Sequence, residues 1–330
     1  MGAMPVPYSI LDVVPVAAGE SAAEALRRTV ELARLADDSG YARYWFAEHH
    51  NMPGIASASP EVLIAHVAAA TRRIHVGSGG IMLPNHVPLQ LAEQFHTLEA
   101  LHPGRIDLGL GRAPGTDPTT VRALRSFDAE GFPQHLAEMR GLSSGTLGEA
   151  HPFRRVRVVP DGVSLPPIWL LGSSGASARF AGENGFGYAF ASHFSPTPAE
   201  PAISAYREAF VPSETFPEPH AILAISAVVA ETADEARRLS TSGELFRVRL
   251  HAGHPEPLPS PETAAAYPYT PADRATIEQS RQMNVAGTPD EVRAELQRRA
   301  EAAGADELMI STMIHDPAAR HRSFELLAAA

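Results

Sequence analysis

Ile168-Trp169-Leu170-Leu171-Gly172-Ser173-Ser174-Gly175-Ala176-Ser177 is the stretch on which the reading of the fold turns. Four apolar residues run without alternation, as in a parallel strand buried on both faces. A tight, small-residue turn then opens a helical pattern. Working outward, the same strand–turn–helix unit recurs along almost the whole chain. Strands are predicted at Tyr8–Val13, Tyr44–Ala47, His75–Ser78 (continuing toward Leu83), Arg105–Gly109, Ile168–Leu171, Gly187–Phe190, Ala221–Val229 and Glu307–Ser311. Eight strands separated by helices favour one closed (β/α)8 TIM barrel over an open doubly wound sheet.

The intervening helices carry start signals. Ser21 and Glu24 form a capping box before a helix over Ala25–Ser39, with Gly40 as its stop. Ser59-Pro60, Thr197-Pro198, Thr288-Pro289 and Asp316-Pro317 each place a capping residue before a first-turn proline. Two stretches interrupt the rhythm and are read as insertion loops or a lid. One is 127–162, with a short helix at Pro133–Arg140; the other is the proline-rich 251–270. No second core is visible, so 1–330 reads as one domain, with residues 1–4 left out of the fold.

Composition narrows the function. With 330 residues, 44% of them hydrophobic, the chain can bury a large core. Cysteine is absent, which removes disulfides, thiol nucleophiles and thiolate metal sites. The net charge of −11 and the lack of a basic stripe argue against nucleic acid. No apolar run reaches membrane-spanning length, and a cytoplasmic location is expected.

Chemistry in a barrel gathers where strands end. The second strand ends Trp45-Phe46-Ala47-Glu48-His49-His50-Asn51. A histidine there can serve as a base near neutral pH, bind metal, or simply pack. Metal is the weaker reading, because no His-x-His or His-Glu-x-x-His pattern supplies further ligands. Gly79-Gly80 inside the third strand gives up packing and marks a bulge or a ligand's close approach. The fourth strand ends Leu108-Gly109-Leu110-Gly111-Arg112-Ala113-Pro114-Gly115. Its glycine spacing and Pro114 do not suit a dinucleotide fingerprint. What remains is a glycine-lined strand end presenting Arg112, suited to a phosphate or to a structural salt bridge. Gly172, Ser173, Ser174 and Ser177 form a phosphate cradle or an ordinary helix cap.

Together these segments, with Asn284–Glu291, resemble bacterial luciferase-like flavin monooxygenases in residue type and order from Tyr8 to Leu327. The resemblance implies reduced FMN across the barrel mouth, supplied by a separate NAD(P)H:flavin reductase and used with O2 to hydroxylate or epoxidise a hydrophobic organic substrate, such as a secondary-metabolite intermediate. It implies a proton-handling His49, a non-proline cis peptide at Gly79-Gly80, and FMN phosphate held near Gly111, Arg112, Gly172, Ser173, Ser174 and Ser177. Trp45, His86 and His193 are candidates for the substrate pocket. A homodimer is expected. Gly111 stands where light-emitting members have cysteine, and Ser173-Ser174 where they have Glu-Ser, so light emission is not expected. A deazaflavin-dependent hydride-transfer enzyme and a non-catalytic flavin-binding protein are the alternatives.

Overall fold

A computed structural model describes residues 6–125 and 128–329. Residues 1–4 and Phe127, the first position of the predicted 127–162 loop, lie outside that range. The barrel strands are β1 (Tyr8–Asp12), β2 (Arg43–Phe46), β3 (His75–Ser78) with its continuation β4 (Ile81–Met82), β5 (Ile106–Gly111), β6 (Ile168–Gly172), β7 (Gly187–Ala191), β8 (Ala221–Val229) and β10 (Glu307–Ser311). All pairings among them are parallel, and β10 pairs with both β8 and β1, which closes the barrel. The short β9 (Val285–Gly287) extends β8 beyond the barrel rim.

Strand alternation separates two cores. Ile10, Tyr44, Phe46, Val76, Leu108 and Phe190 face outward and pack with helix residues such as Leu32, Ile64 and Phe95. Leu11, Trp45, Trp169, Ile222 and Met309 face inward and fill the barrel. Burying each such side chain stabilises the fold by about 1.5–3 kcal/mol. The barrel interior is therefore packed, and any ligand must sit at its mouth.

The outer helices are α1 (Ala22–Asp38), α2 (Pro60–Ala70), α3 (Pro88–Leu101), α5 (Phe132–Ser144), α6 (Gly175–Glu183), α7 (Glu200–Ala209), α11 (Pro289–Ala303) and α12 (Pro317–Ala328). The short α4 (Pro118–Leu124) follows β5. The Ser21–Glu24 and Thr288–Glu291 capping boxes form, and Asp316 caps α12. Thr197-Pro198 does not open a helix: α7 starts at Glu200 after Ala199, and Ser195 Oγ accepts from Thr197 N at 3.3 Å to close a local turn.

The proline-rich stretch is ordered differently from expectation. The insertion starts not at 251 but with α8 (Ala233–His251), and it continues through α9 (Pro261–Ala266) and α10 (Pro271–Met283). Leu245, Val248, Ala264 and Ile277 give these helices a small core of their own. α8 runs over the strand ends: its Phe246 covers Gly54, its Gly243 faces Met313, and Arg247 reaches the loop after β7. Among the described residues, no helix is long and apolar enough to cross a membrane.

Candidate active site at the barrel mouth

Glu48 is the hub of the β2 end. Its carboxylate is buried and accepts four hydrogen bonds. Oε1 takes them from His50 Nε2 (2.8 Å) and Asn85 Nδ2 (3.0 Å), and Oε2 from Met82 N (2.7 Å) and His86 Nε2 (2.9 Å). Burial alone would raise its pKa. The bonds from His50 and His86, the charge of His86 and the bond from Asn85 outweigh that and hold the carboxyl at about 2. His86 shows the reciprocal effect: burial lowers its pKa, but the hydrogen bond and charge of Glu48 leave it raised.

The same hub reaches the β5 loop. Asn85 also donates to Pro114 O at 3.1 Å, and His50 N donates to Gly115 O at 3.2 Å. Thr116 Oγ1 donates to His50 O at 2.8 Å. Gly115 has φ +65 and lies so close to Glu48 O that a Cβ would come within 2.6 Å. The loop bearing Arg112 is thus pinned to the β2 end.

His49 stands apart from this network. Its backbone N–H bonds Ser57 O at 2.9 Å, while its half-buried imidazole keeps Nδ1 without a partner. Burial lowers its pKa to about 4; Glu48 opposes the shift and His50 adds to it. His193, in the loop after β7, has a similar character. Burial and then the nearby Arg247 bring it to about 4, against a backbone hydrogen bond with Ala224, and His49 also disfavours its charge. Two neutral imidazoles, each with Nδ1 unpartnered, thus follow strands on opposite sides of the barrel, near enough for His49 to disfavour charge on His193.

The floor between β2 and β5 is lined by glycines, and at Gly80 the backbone itself leaves no room for a side chain. The Gly79-Gly80 peptide is cis. A Cβ on Gly79 would meet Leu11 Cδ1 at 2.7 Å, one on Gly80 would meet Gly109 O at 2.8 Å, and one on Gly111 would meet Met82 Cε at 2.7 Å. Arg112 follows, exposed, with no side-chain hydrogen bond or ion pair to any described residue, so the structural salt bridge does not form. On the neighbouring strand, Ser174 caps α6 through Ser177 N (3.5 Å), and Ser177 Oγ donates to Ser174 O at 2.9 Å. A Cβ on Gly172 would collide with Ser177, whereas nothing lies within 4 Å of one on Gly175. Tyr188 OH underpins the turn through Ser174 O at 3.3 Å, and burial pushes its pKa to about 12.

Two substrate-pocket candidates change position. Trp45 is fully buried, donates from Nε1 to Asp107 Oδ2 at 3.0 Å and packs edge-on against Trp169. It belongs to the barrel interior, because its place in the strand alternation points it inward below the glycine floor. His86 is half-buried and tied to Glu48. The sequence reading left Glu48 without a role and passed over Arg247. A carboxylate between two motif segments was the available signal for the first; nothing in the local pattern marked the second. Among the described residues, no group of three His, Cys, Asp or Glu is arranged to hold a metal.

The fold is that of a TIM-barrel enzyme. The chain belongs to the luciferase-like monooxygenase family, whose model matches residues 4–307. Members of this family are flavin-dependent oxidoreductases. A luciferase-like monooxygenase of Escherichia coli (strain K12) is 44% identical over 97% of this chain and 95% of its own. The N-acetyl-S-alkylcysteine monooxygenase of Bacillus subtilis (strain 168) is 36% identical over 97% and 96%. Among solved structures, apo-MsnO8 superposes with a TM-score of 0.89, at 40% identity over 98% of this chain and 97% of that one.

Proposed function

We propose that this chain is the oxygenase of a two-component system, binding reduced FMN across the barrel mouth and using it with O2 to hydroxylate or epoxidise an organic substrate with an apolar body. The observation that carries this reading is one juxtaposition. An unpaired Arg112 and the hydroxyl-lined start of α6 stand at adjacent strand ends, beside a glycine-lined floor. Gly79 and Gly80 would let a flat ring lie against the backbone. Arg112 and the backbone N–H groups at the start of α6 would hold a phosphate.

When bound, the reduced flavin supplies the electron pair that activates O2, one oxygen atom entering the substrate and the other leaving as water. The chain's own residues do the rest. His49, neutral at pH 7 with Nδ1 free, accepts or returns a proton at the mouth. His50 and His86 stay on Glu48 and position the floor and the phosphate loop. α8 keeps bulk water out by closing over Gly54 with Phe246.

A separate NAD(P)H:flavin reductase, a homodimer and a cytoplasmic location complete the proposal. Exposed Val62 and Leu101, flanking Ala65 and Leu98 in the groove between α2 and α3, provide the dimer face. The test is anaerobic titration with reduced FMN and, in parallel, reduced deazaflavin, followed by admission of O2. Binding of FMN and rapid O2 uptake are expected. Binding of deazaflavin alone, with no O2 uptake, would sink the proposal.

A further inference from the structure

α8 carries one charged side chain across the mouth that the flavin site does not use. Arg247 is half-buried, and its guanidinium donates to His193 O at 3.1 Å. Burial depresses its pKa, and no carboxylate contributes an opposing effect. Other deeply set arginines are balanced. Arg43 lies 2.8 Å from Asp107 and 3.1 Å from Glu307, and Arg320 lies 2.7 Å from Asp12. A partly desolvated cation without a counter-ion is costly. Although the chain has 38 acidic residues, none among the described residues forms an ion pair with Arg247. A charge left open in this way at a catalytic mouth suits an anion that arrives with a ligand.

The position separates that anion from the FMN phosphate. Arg112 and Ser174–Ser177 follow β5 and β6, whereas Arg247 contacts the loop after β7. His193, whose carbonyl it binds, is within electrostatic reach of both Arg247 and His49. The bond to His193 O fixes the guanidinium and leaves its remaining N–H groups without a protein acceptor among the described residues. A planar fork held in this manner matches a carboxylate, which it can grip through two parallel bonds. Because Arg247 also helps keep His193 uncharged, a single positive charge meets a monoanion. Phe194, 57% exposed and edge-on to His193 at 4.7 Å, offers an apolar wall beside it.

We propose that Arg247 is the recognition residue for a carboxylate on the substrate, so that the molecule oxygenated is an amphipathic organic acid with its apolar body toward His49. The inference deepens the monooxygenase reading and rests on it for the word substrate.

The test is isothermal titration calorimetry of the whole protein, with and without FMN, against matched pairs: octanoate and octanamide, 4-phenylbutanoate and its amide. Wild type is expected to bind the acids at least about 10-fold more tightly, as for loss of one charge-assisted hydrogen-bonded pair. Arg247→Gln should bring acid and amide to parity, Arg247→Lys should recover part of the preference, and FMN affinity should stay unchanged in both. Absence of an acid preference in wild type, including no binding at all, overturns the proposal. So does a preference that survives Arg247→Gln, or a loss of reduced-FMN affinity in that variant as large as the loss for the acids. An acid preference in protein that takes no FMN would uphold the carboxylate site while removing the monooxygenase reading.

Discussion

Oε2 of Glu48 accepts from Nε2 of His86 at 2.9 Å, and each group moves the other's titration in the sense of an ion pair. The bond joins the end of β2 to the turn after β4, across the floor on which the candidate site is built. A buried carboxylate with four donors is also a stability element with a definite pH window.

Glu48→Gln tests that element. In the folded chain the carboxyl titrates at about 2, below its ordinary 4.5. Its contribution is therefore complete above pH 4.5 and is lost as pH falls from there toward 2. The depression corresponds to about 3 kcal/mol at neutral pH. His86 has the opposite sign: its pKa is raised from 6.5, so its share is full below 6.5 and fades as pH rises through the folded value. Urea unfolding of the variant at pH 7 should show a loss of that order, and the gap to wild type should close in acid. A pH-independent gap would refute the ionised-hub description.

His49→Ala should bind flavin normally and lose most coupled product formation. Because burial brings the His49 imidazole to about 4, the acid limb of wild-type kcat/KM should fall near that pH and not near 6.5. Unchanged product yield in the variant would remove His49 from the chemistry.

Arg112→Ala should weaken FMN by roughly 10- to 100-fold, the range for a charge-assisted hydrogen bond. Riboflavin, which lacks the phosphate, should be almost unaffected. Fluorescence titration of both flavins decides the matter, and equal weakening would count against a phosphate contact.

Trp45→Phe distinguishes a core residue from a substrate contact. It removes the 3.0 Å bond to Asp107, leaving that carboxylate with Arg43 and Trp169. The expected cost is about 1–3 kcal/mol of stability, with KM for the substrate unchanged. A raised KM at unaltered stability would return Trp45 to the pocket.

The barrel was readable because buried parallel strands write themselves as short apolar runs. The predicted Ala221–Val229 and Glu307–Ser311 coincide with β8 and β10. The predicted continuation of the third strand toward Leu83 appears as β4. The motif glycines were readable for a related reason, since a missing side chain in a strand shows up as a missing residue of the right type. The insertion was not. α8 has an ordinary helical sequence, and only contacts with Gly54, Met313 and His193, distant in the chain, reveal that it spans the mouth. Arg247 was invisible for the same reason. An arginine's significance lies in the acid that is not beside it, and a linear sequence does not record that. Trp45 was misplaced because a strand end was equated with the mouth, although alternation had already turned its indole inward.

The way β9 pairs with β8 has one more consequence. Val229 and Gly287 are register partners, and Ala230 N bonds Gly287 O at 3.2 Å, so the chain leaves and re-enters the barrel at a single point. Everything between, α8 to α10, starts from that point and is fastened a second time beyond β1, where Leu258 N donates to Val16 O at 2.8 Å and Ala18 N donates to Leu258 O at 2.8 Å. None of the barrel's strand-to-strand pairings uses a residue of α8 to α10, so a segment exchanged there has only the Leu258 fastening and the contacts over the mouth to reproduce. On the function proposed above, the scaffold would separate two inheritances: the cofactor side would stay with the strands, while selectivity would travel with the piece that spans the mouth.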